Sequence, residues 1–462
     1  MIAVQRLKML GSALVGRQSS DIHTRRLAGL IQGVTTSIGN KLLGFIISFI
    51  SVPLTIHYLG AERFGAWVVI GSTLAWLGLT DFGLGHGLTN AVTTAASEDR
   101  PDRVRMHLSN FMLLMILVAL GIAPVLFLAA TNLNLASLFG VHTPFAIREV
   151  NIAVLLSIAF FTVRMPLALS SRVYNAYQEG RIANYWGMAG NIANLICLIA
   201  VTRTGGGLPM LVLAMSGAGL VIELANTTWL FTRHRPAIRP HFRYVDRSEM
   251  HAITKVGIQF FIITAMALVT FQTDTLIIAH FLGAETVPRY SVAYALFNYA
   301  ALPQAMMFPY LWAAYNEAIA RGDIAWVRKT FRLNLIASGL GTTVVAGGIL
   351  LVCKPFILWW AGALAVPSFS LAATMAIWVI INAFTNPIAC LLAAASHLRN
   401  QIRYSALSTV SNLVLSLYFV TRFGPIGVIG STVLSYLVFV CGPIYVDAQR
   451  LIARLEKRTV PQ

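Results

Sequence analysis

The sequence predicts an all-α integral membrane protein, with 12 transmembrane helices in two pseudo-symmetric six-helix bundles around a central cavity. Three observations support this. The 462-residue chain is 57% hydrophobic and only 11% charged, with a mean hydropathy of +0.72, whereas a soluble domain carries roughly a quarter charged residues. Apolar windows of bilayer length recur along nearly all of the chain. One short motif also recurs at matching places in its two halves.

Residues 1–35 read as a cytoplasmic tail. Arg6 and Lys8 interrupt its middle, so it lacks the clean apolar stretch of a secretory signal. Apolar Ile2, Leu7, Met9, Leu10 and Leu14 let it lie as an interfacial helix on the inner membrane surface. The first bundle, 36–230, holds windows at 36–58, 64–92, 109–130, 150–170, 185–201 and 208–230. A basic cytoplasmic linker follows at 231–255, with Arg233, Arg235, Arg239, Arg243 and Arg247 among Pro236 and Pro240. The second bundle, 256–446, holds windows at 256–281, 290–312, 333–353, 368–395, 404–421 and 425–446, and residues 447–462 form a cytoplasmic tail. Each window approaches the ~20 residues a bilayer core requires. Trp67, Trp186, Trp229, Trp312, Trp359 and Trp360 mark window ends as interfacial aromatics.

The charges fix an orientation. In a soluble protein a formal charge of +17 points to nucleic acid or another polyanion. Here topology accounts for it, and no nucleic-acid partner is expected. With both termini cytoplasmic, 26 of the 34 Lys and Arg residues fall in the tails and the inner loops. One falls in each outer loop: Arg63, Arg148, Arg203, Arg289, Lys354 and Arg422. That asymmetry is the positive-inside pattern of an inner (plasma) membrane protein. The four cysteines, Cys197, Cys353, Cys390 and Cys441, lie in or at the ends of windows without CxxC spacing, which suits packing rather than a disulfide or zinc site.

The repeated motif is His57-Tyr58-Leu59-Gly60-Ala61-Glu62, answered 223 residues later by His280-Phe281-Leu282-Gly283-Ala284-Glu285. Each copy ends the first window of its half, which points to duplication. An even number of windows separates the copies, so the halves run parallel, related by an axis along the membrane normal.

Charge inside a bilayer is costly, about 2.5–3.5 kcal/mol per residue on the insertion scale. Five such residues are therefore candidates for function: Lys41, Asp81, Arg164, Glu223 and Asp274. Lys41 is close enough to the cytoplasmic end of its window to snorkel. Arg164 either snorkels or lines a cavity. Asp81 precedes Gly83, Gly85 and Gly87, a cluster that either loosens the helix or packs it closely. Asp274, flanked by Gln272, Thr273 and Thr275, has no snorkelling route and points to a polar cavity. Glu223 lies near Asn226, where an interhelical hydrogen bond is the plainer role. Together the five suggest a hydrated central cavity. Its cations, Lys41 and Arg164, suit an anionic headgroup such as a pyrophosphate. Its carboxylates, Asp81, Glu223 and Asp274, can exchange protons.

No cofactor is expected. Gly33 to Lys41 lacks the GK[ST] ending of a P-loop, no HExxH, GxSxG or EF-hand pattern occurs, and the ten histidines have no ligand spacing. The energy for transport would then come from an ion gradient, the membrane potential or the substrate gradient.

Pro53 to Asn90, with Leu59-Gly60-Ala61-Glu62-Arg63-Phe64-Gly65 and then Asp81-Phe82-Gly83-Leu84-Gly85, resembles the N-terminal signature of polysaccharide-biosynthesis membrane proteins. These are the Wzx-type O-antigen and exopolysaccharide flippases of the multidrug/oligosaccharidyl-lipid/polysaccharide exporter superfamily. Tyr177-Gln178-Glu179-Gly180 and Ala279 to Ala293 resemble it too. The resemblance implies that an undecaprenyl-pyrophosphate-linked oligosaccharide crosses to the outer leaflet by alternating access. Its partners would be that substrate, membrane lipids and a polysaccharide polymerase. Lys41 and Arg164 would then hold the pyrophosphate, and Asp81, Glu223 and Asp274 would couple transport or contact sugar. An ion-coupled multidrug exporter of the same superfamily is the alternative. A membrane polymerase or ligase is the alternative of another class, but it would need a large outer loop, and residues 131–149 offer only His142, Arg148 and Glu149.

Overall fold

A computed structural model describes residues 22–77, 84–177, 179–246, 268, 272–395 and 398–459. Among these residues the chain is helical, with turns and no strand. The principal helices are α1 (Ile22–Leu77), α2 (Leu84–Ser97), α3 (Pro101–Asn132), α4 (Pro144–Arg164), α5 (Leu169–Ala176), α6 (Gly180–Thr204) and α7 (Gly207–Trp229). After a helix over 272–282 come α8 (Val287–Asn298), α9 (Leu302–Ala320), α10 (Ile324–Trp360), α11 (Phe369–Ala394), α12 (Leu398–Phe423), α13 (Pro425–Tyr436) and α14 (Gly442–Thr459).

Nine helical segments among the described residues are long and apolar enough to cross a membrane. The sequence reading expects twelve windows. Window 36–58 and the first part of window 64–92 follow one another in α1 as two helices meeting at a kink at Gly60, whose φ of 74° and ψ of 176° are not helical, and residues 78–83 lie outside the described residues. Window 290–312 lies on α8 and α9, which a 3-10 turn at Tyr299–Ala301 joins. Most of window 256–281 lies outside the described residues.

The chain divides into two compact units. The first comprises 1–55, 77–134 and 148–262, and the second comprises 56–76, 135–147 and 263–462. The core of the first unit follows helical spacing. Leu84, Leu88, Val92 and Ala95 of α2 recur every three or four residues, as do Val104, Leu108, Phe111 and Met115 of α3, and both rows are buried. They pack against Met165, Leu169, Val173 and Tyr174. In the second unit, Phe331 of α10 and Ile388 and Leu391 of α11 meet Ile444, Ala448, Leu451 and Ile452 of α14. Large apolar side chains such as Leu351, Trp359, Val344 and Phe369 stand exposed, as a surface facing lipid requires.

The repeated motif shares a backbone conformation as well as a sequence. Gly283 has φ 86° and ψ 150°, close to the values at Gly60. Positive φ with extended ψ is a region open essentially to glycine alone. Beyond the first turn, Glu62 accepts hydrogen bonds from the backbone N–H of His142 at 2.6 Å and of Thr143 at 3.0 Å. Its carboxylate thereby satisfies donors at the start of α4, the helix that ends in Arg164.

Candidate functional site

A cavity of about 310 Å³ opens within the first unit, between the α4–α5 segment, α6 and α7. Its shape comes from three local causes. A 3-10 turn at Met165–Ala168 contains Pro166, which cannot continue the α-helical ladder, and it joins α4 to α5. Residues Leu169 and Val173 of α5 face the core, leaving Ser170, Ser171 and Tyr174 to line the cavity. Gly187, Gly190 and Gly219 keep the opposite walls low. A Cβ at Gly219 would come within 3.3 Å of the Arg164 guanidinium.

The polar lining is interlocked. Arg164 Nε donates to Glu223 Oε2 at 2.8 Å. The Tyr174 hydroxyl donates to Asn226 Oδ1 at 2.6 Å, and Asn226 Nδ2 donates to Ser170 Oγ at 3.2 Å. Asn191 lines the cavity and donates to Asn40 of α1 at 3.3 Å. With one arginine paired to one glutamate, the lining is electrically balanced among the described residues. What remains is amide (Asn191, Asn194, Asn226), hydroxyl (Ser170, Ser171, Tyr174) and the Trp186 indole. Amides and hydroxyls both donate and accept, and an aromatic face offers an apolar contact beside them. Such a surface suits a hydroxyl-rich ligand.

Below this network, the turn between α5 and α6 is tied to the start of the linker. Glu179 receives Arg235 at 2.8 Å and lies 2.9 Å from His234 Nε2. Burial alone would raise the Glu179 pKa, but hydrogen bonds from Arg235 and His234 outweigh it and hold the carboxyl below its ordinary value. The Arg235 guanidinium also sits 3.7 Å from the centre of the Tyr177 ring. Burial raises the Tyr177 pKa, with Arg235 opposing. The His234 ring stacks on Trp229 at 4.8 Å.

Of the five sequence candidates, the structure brings two together: Arg164 and Glu223 form an ion pair at the cavity wall. Lys41 is exposed on α1, one residue from Asn40, and does not line this cavity. Asp274 belongs to the second unit, where it is 5% exposed and accepts the Tyr290 hydroxyl at 2.6 Å on Oδ2. Asp81 lies outside the described residues. Trp186, expected to mark a membrane interface, lines the cavity. Tyr174 and Ser170 gave no signal in the sequence, being uncharged. Asn226 gave one, through its spacing of three from Glu223, which puts both on one helix face. Among the described residues no group of three or more His, Cys, Asp or Glu side chains is placed to hold a metal ion.

A model of the family described as polysaccharide biosynthesis protein matches residues 30–315, more than half of the chain. The chain belongs to that family. A Yersinia pseudotuberculosis protein named for O-antigen export is 20% identical over 331 residues, covering 69% of this chain and 72% of its own. A Salmonella typhimurium protein named as an O-antigen transporter is 21% identical over 327 residues, covering 67% and 69%. Both names denote transport rather than catalysis. Among solved structures, an inward-facing multidrug-resistance MATE transporter of the MOP superfamily superposes with a TM-score of 0.75 at 14% identity, over 92% of this chain and 96% of the other. A MOP-superfamily transporter from Pyrococcus furiosus, described by a reverse polarity of its binding pocket, gives a TM-score of 0.67 at 12% identity, over 93% of this chain and 96% of the other. The polysaccharide biosynthesis family member is thus a multi-pass membrane protein with a MOP-transporter fold, and the resemblance seen in the Leu59–Gly65 stretch is borne out.

Proposed function

We propose that this protein moves an undecaprenyl-pyrophosphate-linked oligosaccharide repeat unit from the cytoplasmic to the outer leaflet of the inner membrane. It does so by alternating access of two six-helix bundles, 36–230 and 256–446. The observation that carries this reading is the balanced cavity of the first unit, rich in amides and hydroxyls beside Trp186. Family membership and the names of the relatives support it. A hydrophobic cationic drug would instead call for unpaired carboxylates and a more aromatic lining, and among the described residues the one lining carboxylate, Glu223, is paired with Arg164.

Arg164 has five N–H donors in a planar fork, and one carboxylate does not exhaust them. It meets the pyrophosphate by exchanging Glu223 for phosphate oxygens, and the released Glu223 accepts from sugar hydroxyls. Lys41 supplies a second cation from α1. Asp81 and Asp274 are the coupling groups. Membrane lipids surround the protein, and a polysaccharide polymerase takes the delivered unit.

Gene deletion in the host tests the reading, with surface polysaccharide and lipid-linked oligosaccharide measured together. The expected result is loss of surface glycan with single lipid-linked units retained on the cytoplasmic leaflet. Normal glycan with raised drug sensitivity would overturn it in favour of an exporter. Single units accumulating unpolymerised on the outer leaflet would place the defect in a polymerase.

A further inference from the structure

The second unit holds a cavity of its own, about 400 Å³, between α9 and α10. Among the described residues no charged side chain lines it. Its polar ones are already engaged with their neighbours. Gln304 Nε2 donates to the Ala383 carbonyl of α11 at 2.9 Å, and Ser338 Oγ donates to Asn334 Oδ1 at 3.1 Å. One turn beyond the lining residues Leu311 and Thr330, Tyr315 and Trp326 meet edge to face at 6.1 Å. That pair stands between the cavity and the turn at 321–323. The rim opens sideways instead: Met307, Leu333 and Val345 line the cavity and are exposed. Beside them on α10 run Ile336, Leu340 and Val344, an exposed apolar row of the kind that faces lipid. The cavity is a slot entered from the bilayer rather than from water.

Apolar space open to lipid takes a hydrocarbon chain, and length selects which one. Lys329 and Arg332, exposed on the turn of α10 where the slot begins, mark the level of the headgroups. From Thr330 to Val345 the lining then follows α10, about 22 Å of helix at about 1.5 Å per residue. One leaflet's hydrocarbon is only about 15 Å deep, half of the ~30 Å core, and a phospholipid acyl chain keeps to its own leaflet. A helix tilted by about 20° still carries the slot past the midplane. A polyprenyl chain, several times longer than an acyl chain, reaches that far. Gly341 leaves the slot wide along its length, since a Cβ there would meet open space. That space accommodates the methyl branches of an isoprenoid. We propose that the slot between α9 and α10 binds the polyprenyl chain of a polyprenyl phosphate or pyrophosphate. That this chain anchors the transported glycan rests on the function proposed above; binding of the chain does not.

The test photolabels the full-length protein in vesicles of phosphatidylethanolamine and phosphatidylglycerol. The probe is a polyprenyl phosphate with a diazirine in its chain, and adducts are mapped by peptide mass spectrometry. Adducts are expected within 300–311 and 330–345, displaced by unlabelled undecaprenyl phosphate and not by added phosphatidylglycerol. Gly341→Leu, which fills the slot with apolar side chain, should lower these adducts about tenfold, whereas Gly341→Ala should keep most of them. Thermal melting checks that the variants are folded, and Ala337→Leu serves as a second filling variant. Adducts unchanged in a filled, folded variant would overturn the slot, as would adducts spread evenly over all lipid-facing helices. Displacement by phosphatidylglycerol as readily as by undecaprenyl phosphate would overturn the polyprenyl chain in favour of ordinary membrane lipid. The transport reading fails separately. Normal surface glycan after gene deletion would overturn it and leave a labelled slot standing, whereas lost glycan with an unlabelled slot would overturn the slot alone.

Discussion

Arg164 and Glu223 illustrate how a membrane protein keeps charge inside a bilayer: each is the other's solvent, at 2.8 Å. Removing one strands the other. Arg164→Ala and Glu223→Ala should each lower glycan export about tenfold or more, and together by little more than either alone, a coupling that a double-mutant cycle on surface glycan would measure. Asp274→Asn should impair export more than Lys41→Ala, because Asp274 is buried whereas Lys41 is exposed. Glu179 makes a pH prediction. Its carboxyl titrates below its ordinary value in the folded protein. Its hold on Arg235 is therefore complete above the unfolded value of about 4.3 and is lost as pH falls through the lower folded value. A fluorophore on Arg239→Cys should gain mobility only in that acid range, and Glu179→Ala should show the same mobility at neutral pH. The sequence exposed Arg164, Glu223 and Asp274 because charge in an apolar window is rare. It hid Tyr174, Ser170 and Trp186 because hydroxyls and aromatics in such windows are common and only tertiary packing brings them to one wall.

Between residues and the whole stand the breaks that turn windows into helices. Gly60 has open space around the position of an added Cβ, so Gly60→Ala meets only backbone strain, on the order of 1–3 kcal/mol. Gly140, at φ 62°, differs: an added Cβ would overlap the Ala279 carbonyl and press on Gly283. Gly140→Ala should therefore lower the thermal midpoint further than Gly60→Ala, in melting curves recorded in one detergent. A hydropathy window cannot register a single reversed φ, so it places span boundaries by polarity alone. The motif repeat carried the missing signal, because a glycine at the same place in both copies marks a turn that a side chain would strain.

For the molecule as a whole, the distribution of 26 of 34 basic residues makes the most direct forecast. A reporter fused after Gln462 should be active only on the cytoplasmic side, and moving it to the 131–149 segment should reverse the result. Fold class and family were legible because hydropathy and the Leu59–Gly65 stretch survive at the level of composition and local motif. Cargo identity was not, because the cavity wall is made of Asn, Ser and Gly residues scattered over several helices. That contrast has a practical consequence for directed evolution. Codons 60 and 283 tolerate only glycine without penalty, whereas Ser171, Asn191 and Asn194 sit on the cavity wall outside the ion pair. A combinatorial library that freezes the two glycines and randomises those three positions would spend its diversity on selectivity while keeping most members folded.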